Sequence, residues 1–273
     1  LSLAVKKGEI LAVAGSSGSG KSLLAHAILG ILPSNAWVKG EMLYCGKVLT
    51  SESQKILRGK EIALVPQSVE YLNPLMKVGK QVIGTRGSKE KQEAAFKKYG
   101  LADSVKKQYP FQLSGGMARR VLISTAVITD AKLLIADEPT PGLGKEIAQT
   151  TMEHFRALAD EGRGVMMITH DLDLALTYAD RIAIFYAGTI VEIALAEDFR
   201  SGVDALRHPY TKALWRAMPQ NGFHPIKGSQ PYAGDLPKGC IFSPRCPIRK
   251  PDCENRPSMR SLRGGEVCCF YAT

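Results

Sequence analysis

The amino-acid sequence predicts an α/β protein built on a mainly parallel β-sheet and followed by a small loop-rich module. Short apolar runs alternate with segments of helical periodicity, and the first run leads into a glycine-rich turn. From about Gly222 this alternation gives way to Pro, Gly, Arg and Cys, with too little apolar content to fold by hydrophobic packing alone. We therefore expect one domain over residues 1–200 and an extension over residues 201–273.

The predicted elements follow from their local patterns. Four apolar runs bounded by turn or polar residues are typical of buried strands: Glu9–Gly15, Glu61–Gln67, Lys132–Glu138 and Gly164–His170. Four segments have helical periodicity: Leu23–Leu32, Met117–Ile128, Glu146–Gly162 and Asp171–Asp180. Residues Arg181–Ala194 predict a hairpin that turns near Ala187 and Gly188.

Composition and charge exclude several classes. A chain of 273 residues that is 45% hydrophobic can fill a sizeable core, but no apolar run approaches the roughly 18 residues of a membrane helix. The amino-terminal segment is charged too early for a secretion signal, and because it lacks Met we expect a segment to precede it. The net charge is +10, concentrated after Arg200. This surplus of basic residues is consistent with a solvated surface or with binding to an anionic membrane face. The few aromatic residues do not alternate with the basic residues, which argues against binding of nucleic acid.

The turn after the first strand carries the strongest motif. It matches the pattern G-x-x-x-x-G-K-[ST], between a predicted strand and a predicted helix, with the residues Gly15, Ser16, Ser17, Gly18, Ser19, Gly20, Lys21 and Ser22. Glycines let successive N–H groups point at a phosphate, and the helix N-terminus adds a favourable dipole. Lys21 is expected to reach the β- and γ-phosphates, and the Ser22 hydroxyl to ligate Mg²⁺. The motif predicts binding of a nucleoside triphosphate.

Polar residues follow three other predicted strands. Asp137 is expected near the metal, and Glu138 is expected to polarise the attacking water as general base. Gln67 is expected to reach Mg²⁺ or that water, and His170 the γ-phosphate. A lone His at a strand end is usually structural, but ligands of such sheets bind at the carboxyl ends of the strands.

Leu113, Ser114, Gly115 and Gly116 precede a predicted helix, where a hydroxyl and free amides make an anion site. Because the strand ends already surround one face of a nucleotide, the simplest expectation is that these residues bind the phosphate held by another subunit.

The motifs GSSGSGKS, VPQ, LSGG, LLIADEP and ITHD, in this order, resemble those of the ATP-binding cassette (ABC) ATPases. The resemblance covers residues 1 to about 200 and implies a P-loop nucleotide-binding domain that hydrolyses ATP with Mg²⁺. It also implies a head-to-tail dimer in which Ser114, Gly115 and Gly116 face the partner's γ-phosphate. By the same resemblance, a helical subdomain of about residues 70–127 contacts membrane-spanning partners, and Gln67 begins the loop that links hydrolysis to that contact.

The extension narrows the resemblance to one subgroup of the ABC ATPases. HPYTKALWRAMP (His208–Pro219) followed by GCIFSPRCPIRKPDC is similar to the tail of ATPase subunits of dipeptide, oligopeptide and nickel importers. The implied partners are a second ATPase subunit in a heterodimer, two transmembrane permease subunits and, indirectly, an extracytoplasmic substrate-binding protein. The implied location is peripheral, on the cytoplasmic face of the cell membrane. The cargo stays open between peptides, nickel and other metal complexes.

The cysteines of the extension predict a metal site. Cys45 stands alone and is expected to be a small buried residue, whereas five cysteines crowd into the last 34 residues. The family resemblance implies a [4Fe–4S] cluster held by Cys240, Cys246, Cys253 and Cys269, with Cys268 as the alternative fourth ligand. Zinc sites usually have tighter Cys pairs and iron–sulfur clusters tolerate wider spacing. Zinc and free thiols remain alternatives, while disulfides are disfavoured in the cytosol.

Three departures from the family pattern stand out. Gly144 lies where an Asp usually ties one cassette to the other, and Arg119 lies where the subgroup commonly has Gln. The aromatic residue that stacks on adenine lies upstream of this chain. Because Gly144 lacks the carboxylate that couples the two cassettes, the alternative function is a regulatory or weakly hydrolytic subunit, or a soluble non-transport ABC ATPase. The importer-type tail favours the transport subunit.

Overall fold

A computed structural model describes residues 1–84, 87–232 and 234–273. The strands are β1 (Ile10–Gly15), β2 (Leu43–Tyr44), β3 (Lys47–Val48), β4 (Ile62–Val65), β5 (Leu133–Asp137), β6 (Gly164–Thr169), β7 (Arg181–Tyr186), β8 (Thr189–Leu195), β9 (Arg260–Leu262) and β10 (Gly265–Val267). The α-helices are α1 (Lys21–Leu29), α2 (Ser51–Leu57), α3 (Val78–Ile83), α4 (Lys89–Lys98), α5 (Gly115–Val127), α6 (Lys145–Asp160), α7 (Leu172–Tyr178), α8 (Ala196–Arg200) and α9 (Pro209–Arg216). All the strands and helices predicted above are confirmed, with ends shifted by a few residues.

The chain divides into two compact units. The central unit comprises Val5–Ile10 and Ser22–Ile168, and the C-terminal unit comprises Leu1–Ala4, Leu11–Lys21 and Thr169–Thr273. No helix of the described ranges is long and apolar enough to cross a membrane.

Parallel strands form the centre of the central unit. Strand β5 pairs in parallel with β4 on one side and with β6 on the other. Their carboxyl ends therefore meet at one edge, because Val65 lies opposite Ala136 and Asp137 lies opposite Ile168. The core residues of these strands are β-branched, Leu, Ala or Met side chains, which suit strands covered on both faces. This register brings the segments after β4 and β5 to the same edge.

The C-terminal unit combines a parallel pair with an antiparallel meander. Strand β1 pairs in parallel with β7, and β7 continues into β8 through the predicted hairpin. Both turn residues have positive φ, +43° at Ala187 and +81° at Gly188, as a tight hairpin turn of this kind requires. Strand β8 then pairs with β10, and β10 with β9. The β9–β10 hairpin was not expected from the sequence.

A buried charged cluster fastens the extension to β8. The guanidinium of Arg207 donates hydrogen bonds to Glu192 at 3.2 Å and to Asp198 at 2.9 Å, and both Arg207 and Glu192 are fully buried. The same guanidinium donates to the carbonyls of Leu262 and Arg263, in and just after β9. A charged pair removed from water in this way is tolerated only when its remaining donors and acceptors are satisfied. Breaking it is therefore expected to be costly.

Candidate nucleotide-binding site

The turn between β1 and α1 has the backbone that its sequence predicts. Gly18 and Gly20 have φ values of +74° and +99°, which residues other than glycine rarely adopt. A side chain at Gly15 would meet the carbonyl oxygen of Phe185 at 2.2 Å, so the end of β1 also requires glycine. The motif glycines are therefore explained by backbone geometry within the C-terminal unit.

Side chains of the same turn are held by its own backbone and by the extension. The Nζ of Lys21, the first residue of α1, donates to the carbonyls of Gly15 at 2.8 Å and Ser16 at 2.9 Å. The Ser16 hydroxyl donates to Oε1 of Gln230 at 2.7 Å. Ser17 is exposed, and Ser22 is half-buried in the first turn of α1. The Oγ of Ser19 is buried without a hydrogen-bond partner among the described residues.

The carboxylates predicted at the end of β5 are where the sequence indicates. Asp137 is the last residue of β5 and Glu138 follows it, and both are buried. The N–H of Glu138 donates to the carbonyl of Ile168 at 2.9 Å, and its φ is +48°. A residue other than glycine in this conformation is strained, and such strain concentrates at functional sites. Gln67 is exposed, two residues after β4.

His170 directly follows β6 and is exposed in the C-terminal unit. The hydroxyl of Thr169 accepts the N–H of Asp171 at 3.0 Å, and Asp171 in turn caps α7 by accepting the N–H of Leu174. The turn that presents His170 is therefore fixed on both sides by hydrogen bonds.

The LSGG segment begins α5 as a capped helix start. Leu113 is half-buried, and Ser114 is the N-cap, whose Oγ accepts the N–H of Met117 at 3.3 Å. Gly115 and Gly116 are the first two helical residues. A Cβ at Gly115 would meet open space, so packing within this chain does not explain that glycine. The exposed helix start is suited to binding an anion that comes from outside this unit.

No function was predicted for Arg119 from the sequence, and the structure places this residue in the interior of the central unit. Its side chain on α5 is 4% exposed, and its guanidinium donates to main-chain carbonyls of Pro66, Gln67, Asp137 and Pro139. Burial lowers the pKa of this guanidinium, although the charges of Asp137 and Glu138 act in the opposite direction. The sequence feature that distinguished this position was its departure from the Gln that the subgroup commonly has.

Gly144 is the N-cap of α6 and makes no side-chain capping bond. Its φ of −65° is open to any residue, and a Cβ there would meet nothing within 4 Å. Backbone geometry therefore does not require glycine at this departure from the family pattern.

The cysteines of the extension lie together. Burial raises the pKa of the Cys240, Cys246, Cys268 and Cys269 thiols, and the charges of neighbouring cysteines, Cys253 among them, raise these values further. The N–H of Cys240 donates to the carbonyl of Cys253 at 2.9 Å, and the thiol of Cys268 donates to the carbonyl of Pro257 at 3.1 Å. Within the described residues no three His, Cys, Asp or Glu side chains are arranged to hold a single metal ion. Cys45, by contrast, is exposed, so the expectation that it is buried was wrong.

The segment His208–Tyr210 of the extension is packed against β7 and β8. The N–H of His208 donates to Glu192 at 2.7 Å, and its Nδ1 accepts the N–H of Tyr210 at 3.0 Å. Complete burial lowers the pKa of His208 to about 3, which keeps its ring neutral. The Tyr210 ring centroid lies 4.5 Å from that of Tyr186. The extension therefore packs on this pair of strands through His208 and Tyr210, and it reaches the phosphate-binding turn through Gln230.

Two family models match the chain. The model described as ABC transporter matches residues 1–141, and the model described as Oligopeptide/dipeptide transporter, C-terminal region, matches residues 191–253. The chain is similar to the oligopeptide transport ATP-binding protein AppD of Bacillus subtilis, with 35% identity over 97% of this chain and 88% of AppD. It is 36% identical to the dipeptide transport ATP-binding protein DppD of Escherichia coli, over 99% of this chain and 89% of DppD.

Solved structures agree on the fold. An ATP-binding subunit of an ABC transporter superposes with a TM-score of 0.64 at 23% identity, over 73% of this chain and 83% of that subunit. The ATP-binding cassette MJ0796, a dimer in a post-hydrolysis state with ADP and Pi, superposes with a TM-score of 0.63 at 25% identity, over 71% and 88%. The chain therefore belongs to the ABC transporter family, as an ABC ATPase and ATP-binding subunit of the oligopeptide and dipeptide transporter branch.

Proposed function

We propose that this chain hydrolyses MgATP to power peptide import through a membrane channel, from a peripheral position on the cytoplasmic face of the membrane. Residues 1–200 form the nucleotide-binding domain, with residues 70–127 as its helical subdomain, and residues 201–273 the extension. The turn from Gly15 to Lys21 carries the proposal, because its positive-φ glycines and inward lysine form the backbone cradle that phosphates require. The names of the relatives favour peptides over nickel as cargo.

The proposed chemistry uses groups from several segments. The N–H groups of Gly15, Ser16, Ser17, Gly18, Ser19 and Gly20 cradle the phosphates. Lys21 exchanges its carbonyl partners for the β- and γ-phosphates, and His170 holds the γ-phosphate. Glu138 accepts the proton of the attacking water. The hydroxyl of Ser22, the carboxylate of Asp137 and the amide of Gln67 suit Mg²⁺, which prefers oxygen ligands; when bound, Mg²⁺ neutralises charge on the transferring phosphate.

The second half of each site comes from another cassette. Leu113, Ser114, Gly115 and Gly116 bind the γ-phosphate held by a partner subunit, and the exposed start of α5 supports this. We propose a heterodimer with a second ATPase subunit. Gly144 has no carboxylate to contact the other cassette and so weakens coupling across that interface, and a weakly hydrolytic or regulatory subunit is the alternative that this glycine favours.

The membrane partners are two permease subunits, with an extracytoplasmic substrate-binding protein acting through them. Exposed large apolar side chains are grouped in one short stretch at the start of the helical subdomain, at Tyr71, Leu75 (88%) and Met76, and Phe111 of the same subdomain is 75% exposed. Exposed apolar residues of this size mark protein interaction surfaces when they are grouped. They support this subdomain as the contact with the permeases.

The extension binds a [4Fe–4S] cluster through Cys240, Cys246, Cys253 and Cys269, with zinc as the alternative. The donor set fits in kind, because these four cysteines lie near one another and all four are at least half-buried. Within the part of the chain that the structure describes, these four thiols are not arranged as a site for a single ion. When bound, the cluster cross-links the loops that carry the four thiolates. The thiol of Cys268 is engaged by Pro257, which favours Cys269 as the fourth ligand.

Reconstitution tests the proposed function. This chain, the second ATPase subunit and the two permeases are assembled in proteoliposomes, and ATP turnover and peptide uptake are measured with the substrate-binding protein. We expect turnover well above that of either ATPase subunit alone. Glu138→Gln keeps size and hydrogen bonding but removes the base, so turnover should fall on the order of a hundredfold while MgATP still binds.

Two outcomes would contradict the proposal. Unchanged turnover in the Glu138→Gln complex would remove the catalytic role of this residue. Full hydrolytic activity from a verified monomer of this chain would remove the need for a partner's LSGG segment.

A further inference from the structure

Arg119 joins three segments of the central unit that the proposed function uses. It lies on α5, five residues after the N-cap Ser114. Its side chain points away from solvent and is 4% exposed. The helix that begins with the LSGG segment therefore sends one charged side chain into the interior.

The donors of the guanidinium are divided between two loops. Nη1 donates to the carbonyls of Pro66 at 2.6 Å and Gln67 at 2.7 Å, in the loop after β4. Nη2 donates to Asp137 at 3.2 Å and Nε to Pro139 at 3.3 Å, on either side of Glu138. One rigid, planar group thus sets the separation between the main chain at Gln67 and the main chain around Glu138.

Only arginine can make this set of contacts. A guanidinium has five N–H donors in a fixed fork, whereas a glutamine amide has two and a lysine ammonium has three on a single nitrogen. All four acceptors are backbone carbonyls. Removal of water from this charge lowers its pKa, while the charges of Asp137 and Glu138 favour the protonated form. The cation is held by geometry that glutamine would reproduce only in part.

We propose that Arg119 is a positioning residue for ATP hydrolysis, which holds the loop of Gln67 and the turn of Glu138 in one fixed arrangement. This inference rests on the proposed roles of Gln67 and Glu138. It adds that the helix carrying the LSGG segment is coupled by one side chain to both of these residues.

The inference predicts a specific kinetic pattern. The proposed phosphate contacts from Gly15 to Lys21 supply most of the ground-state binding of MgATP and do not depend on Arg119, so its loss should change that binding only slightly, through the proposed Mg²⁺ ligands Gln67 and Asp137. Small displacements of catalytic groups cost turnover steeply, up to about a hundredfold for a shift near 1 Å. The loss should therefore appear in kcat and not in KM.

The test uses three variants in the assembled transporter. Arg119→Met removes charge and donors and should lower kcat on the order of tenfold or more, with KM for ATP within about twofold. Arg119→Gln should be intermediate, because two donors can hold one loop. Arg119→Lys should resemble Arg119→Met, because a single nitrogen cannot span both loops.

Arg163→Met is the matched control. Arg163 lies in the same unit and also donates to a backbone carbonyl, that of Thr129 at 2.8 Å, but it precedes the amino-terminal end of β6. Its loss should leave kcat unchanged. Hydrogen exchange of the isolated chain, followed by mass spectrometry, supplies a readout besides activity. Arg119→Met should speed exchange in residues 67–70 and 138–142 together, and Arg163→Met in neither.

The outcomes separate this inference from the proposed function. If Glu138→Gln abolishes turnover but Arg119→Met matches Arg163→Met in kcat and exchange, the positioning role is wrong and the function stands. If Arg119→Lys restores wild-type kcat, charge and not geometry is what matters, and the inference is equally overturned. If Glu138→Gln leaves turnover unchanged, the proposed function itself fails. In that case, faster exchange at both loops in Arg119→Met would still support the structural clamp.

Discussion

The hydroxyl of Ser16 in the phosphate-binding turn donates a 2.7 Å hydrogen bond to the side chain of Gln230 in the extension. These residues are 214 positions apart in the sequence. The bond ties the first serine of the turn to a segment that belongs to no helix or strand. The extension therefore contributes to the shape of the phosphate-binding turn.

Gln230→Ala should weaken MgATP binding by about two- to tenfold. One hydrogen bond contributes about 0.5–1.5 kcal/mol, and a less ordered turn must be ordered on binding. Titration calorimetry on the purified chain measures the change. Gln220→Ala is the control, since Gln220 donates to Asp173 at 2.6 Å in the same unit and, among the described residues, is not hydrogen-bonded to the turn. Equal affinity in the two variants would show that the Gln230 contact has no part in nucleotide binding.

Gly144→Asp should strengthen ATP-dependent pairing with the second ATPase subunit. The position accepts a side chain without strain or collision, and the added carboxylate restores the group that the family uses across the interface. It can also cap α6, which adds a few tenths of a kcal/mol to stability. Sedimentation of the mixed subunits, with Glu138→Gln to prevent hydrolysis, measures the dimer fraction. Gly144→Ala lacks the carboxylate and should match the parent, so tighter pairing by both variants would contradict this explanation.

Protein purified without oxygen should be brown and hold about four irons and four sulfides per chain. Cys240→Ser should remove the colour and increase hydrogen exchange from about residue 226 onward, while MgATP binding persists. Loading should weaken as the pH falls, because burial raises the pKa of the thiols and ligation requires thiolates. Cys45→Ser, at an exposed cysteine, is the control and should stay brown. Colourless wild-type protein that holds one zinc ion per chain would show that the site binds zinc and not an iron–sulfur cluster.

The fourth ligand is decided by two further variants. Cys269→Ser should bleach the protein and Cys268→Ser should not, because the Cys268 thiol already bonds the carbonyl of Pro257. Bleaching by Cys268→Ser alone would reverse that assignment.

Stability should fall as the pH drops from about 6.5, in part because of His208. Its folded pKa is about 3, below the ordinary value of 6.5. Between about pH 6.5 and pH 3 the His208 ring is therefore protonated in the unfolded chain and neutral in the folded chain. The contribution of this residue to the free energy of unfolding is highest above pH 6.5 and decreases as the pH falls toward 3. At pH 5.5 the loss from this residue is about 1.4 kcal/mol relative to pH 8. Urea unfolding at both values measures it, and His208→Asn should show a smaller difference; an identical pH dependence would contradict this origin.

The strands and the residues at their carboxyl ends could be predicted because each depends on a short local pattern. An apolar run followed by Asp137 and Glu138 identifies both the strand and the edge at which it ends. The glycines at positions 15, 18 and 20 likewise have backbone reasons that the motif alone conveys.

Contacts between distant segments could not be predicted in this way. The carbonyls bonded by Arg119 and the partner of Ser16 depend on the completed fold, and no periodicity marks them. Strands β9 and β10 are only three residues long and largely polar, so they lack the alternation that identifies a strand. Strand β10 forms because it pairs in antiparallel with the edge of β8, and this pairing is not visible in the local sequence.

The buried pair of Glu192 and Arg207 has a consequence for the history of the chain. Arg207 and His208 belong to the extension, so removal of the extension would leave the buried carboxylate of Glu192 without its cation and its hydrogen-bond donors. A descendant that loses the tail must therefore also replace Glu192, or pay several kcal/mol for the unpaired charge. Among related sequences, acid at position 192, arginine at position 207 and an intact tail should be inherited together.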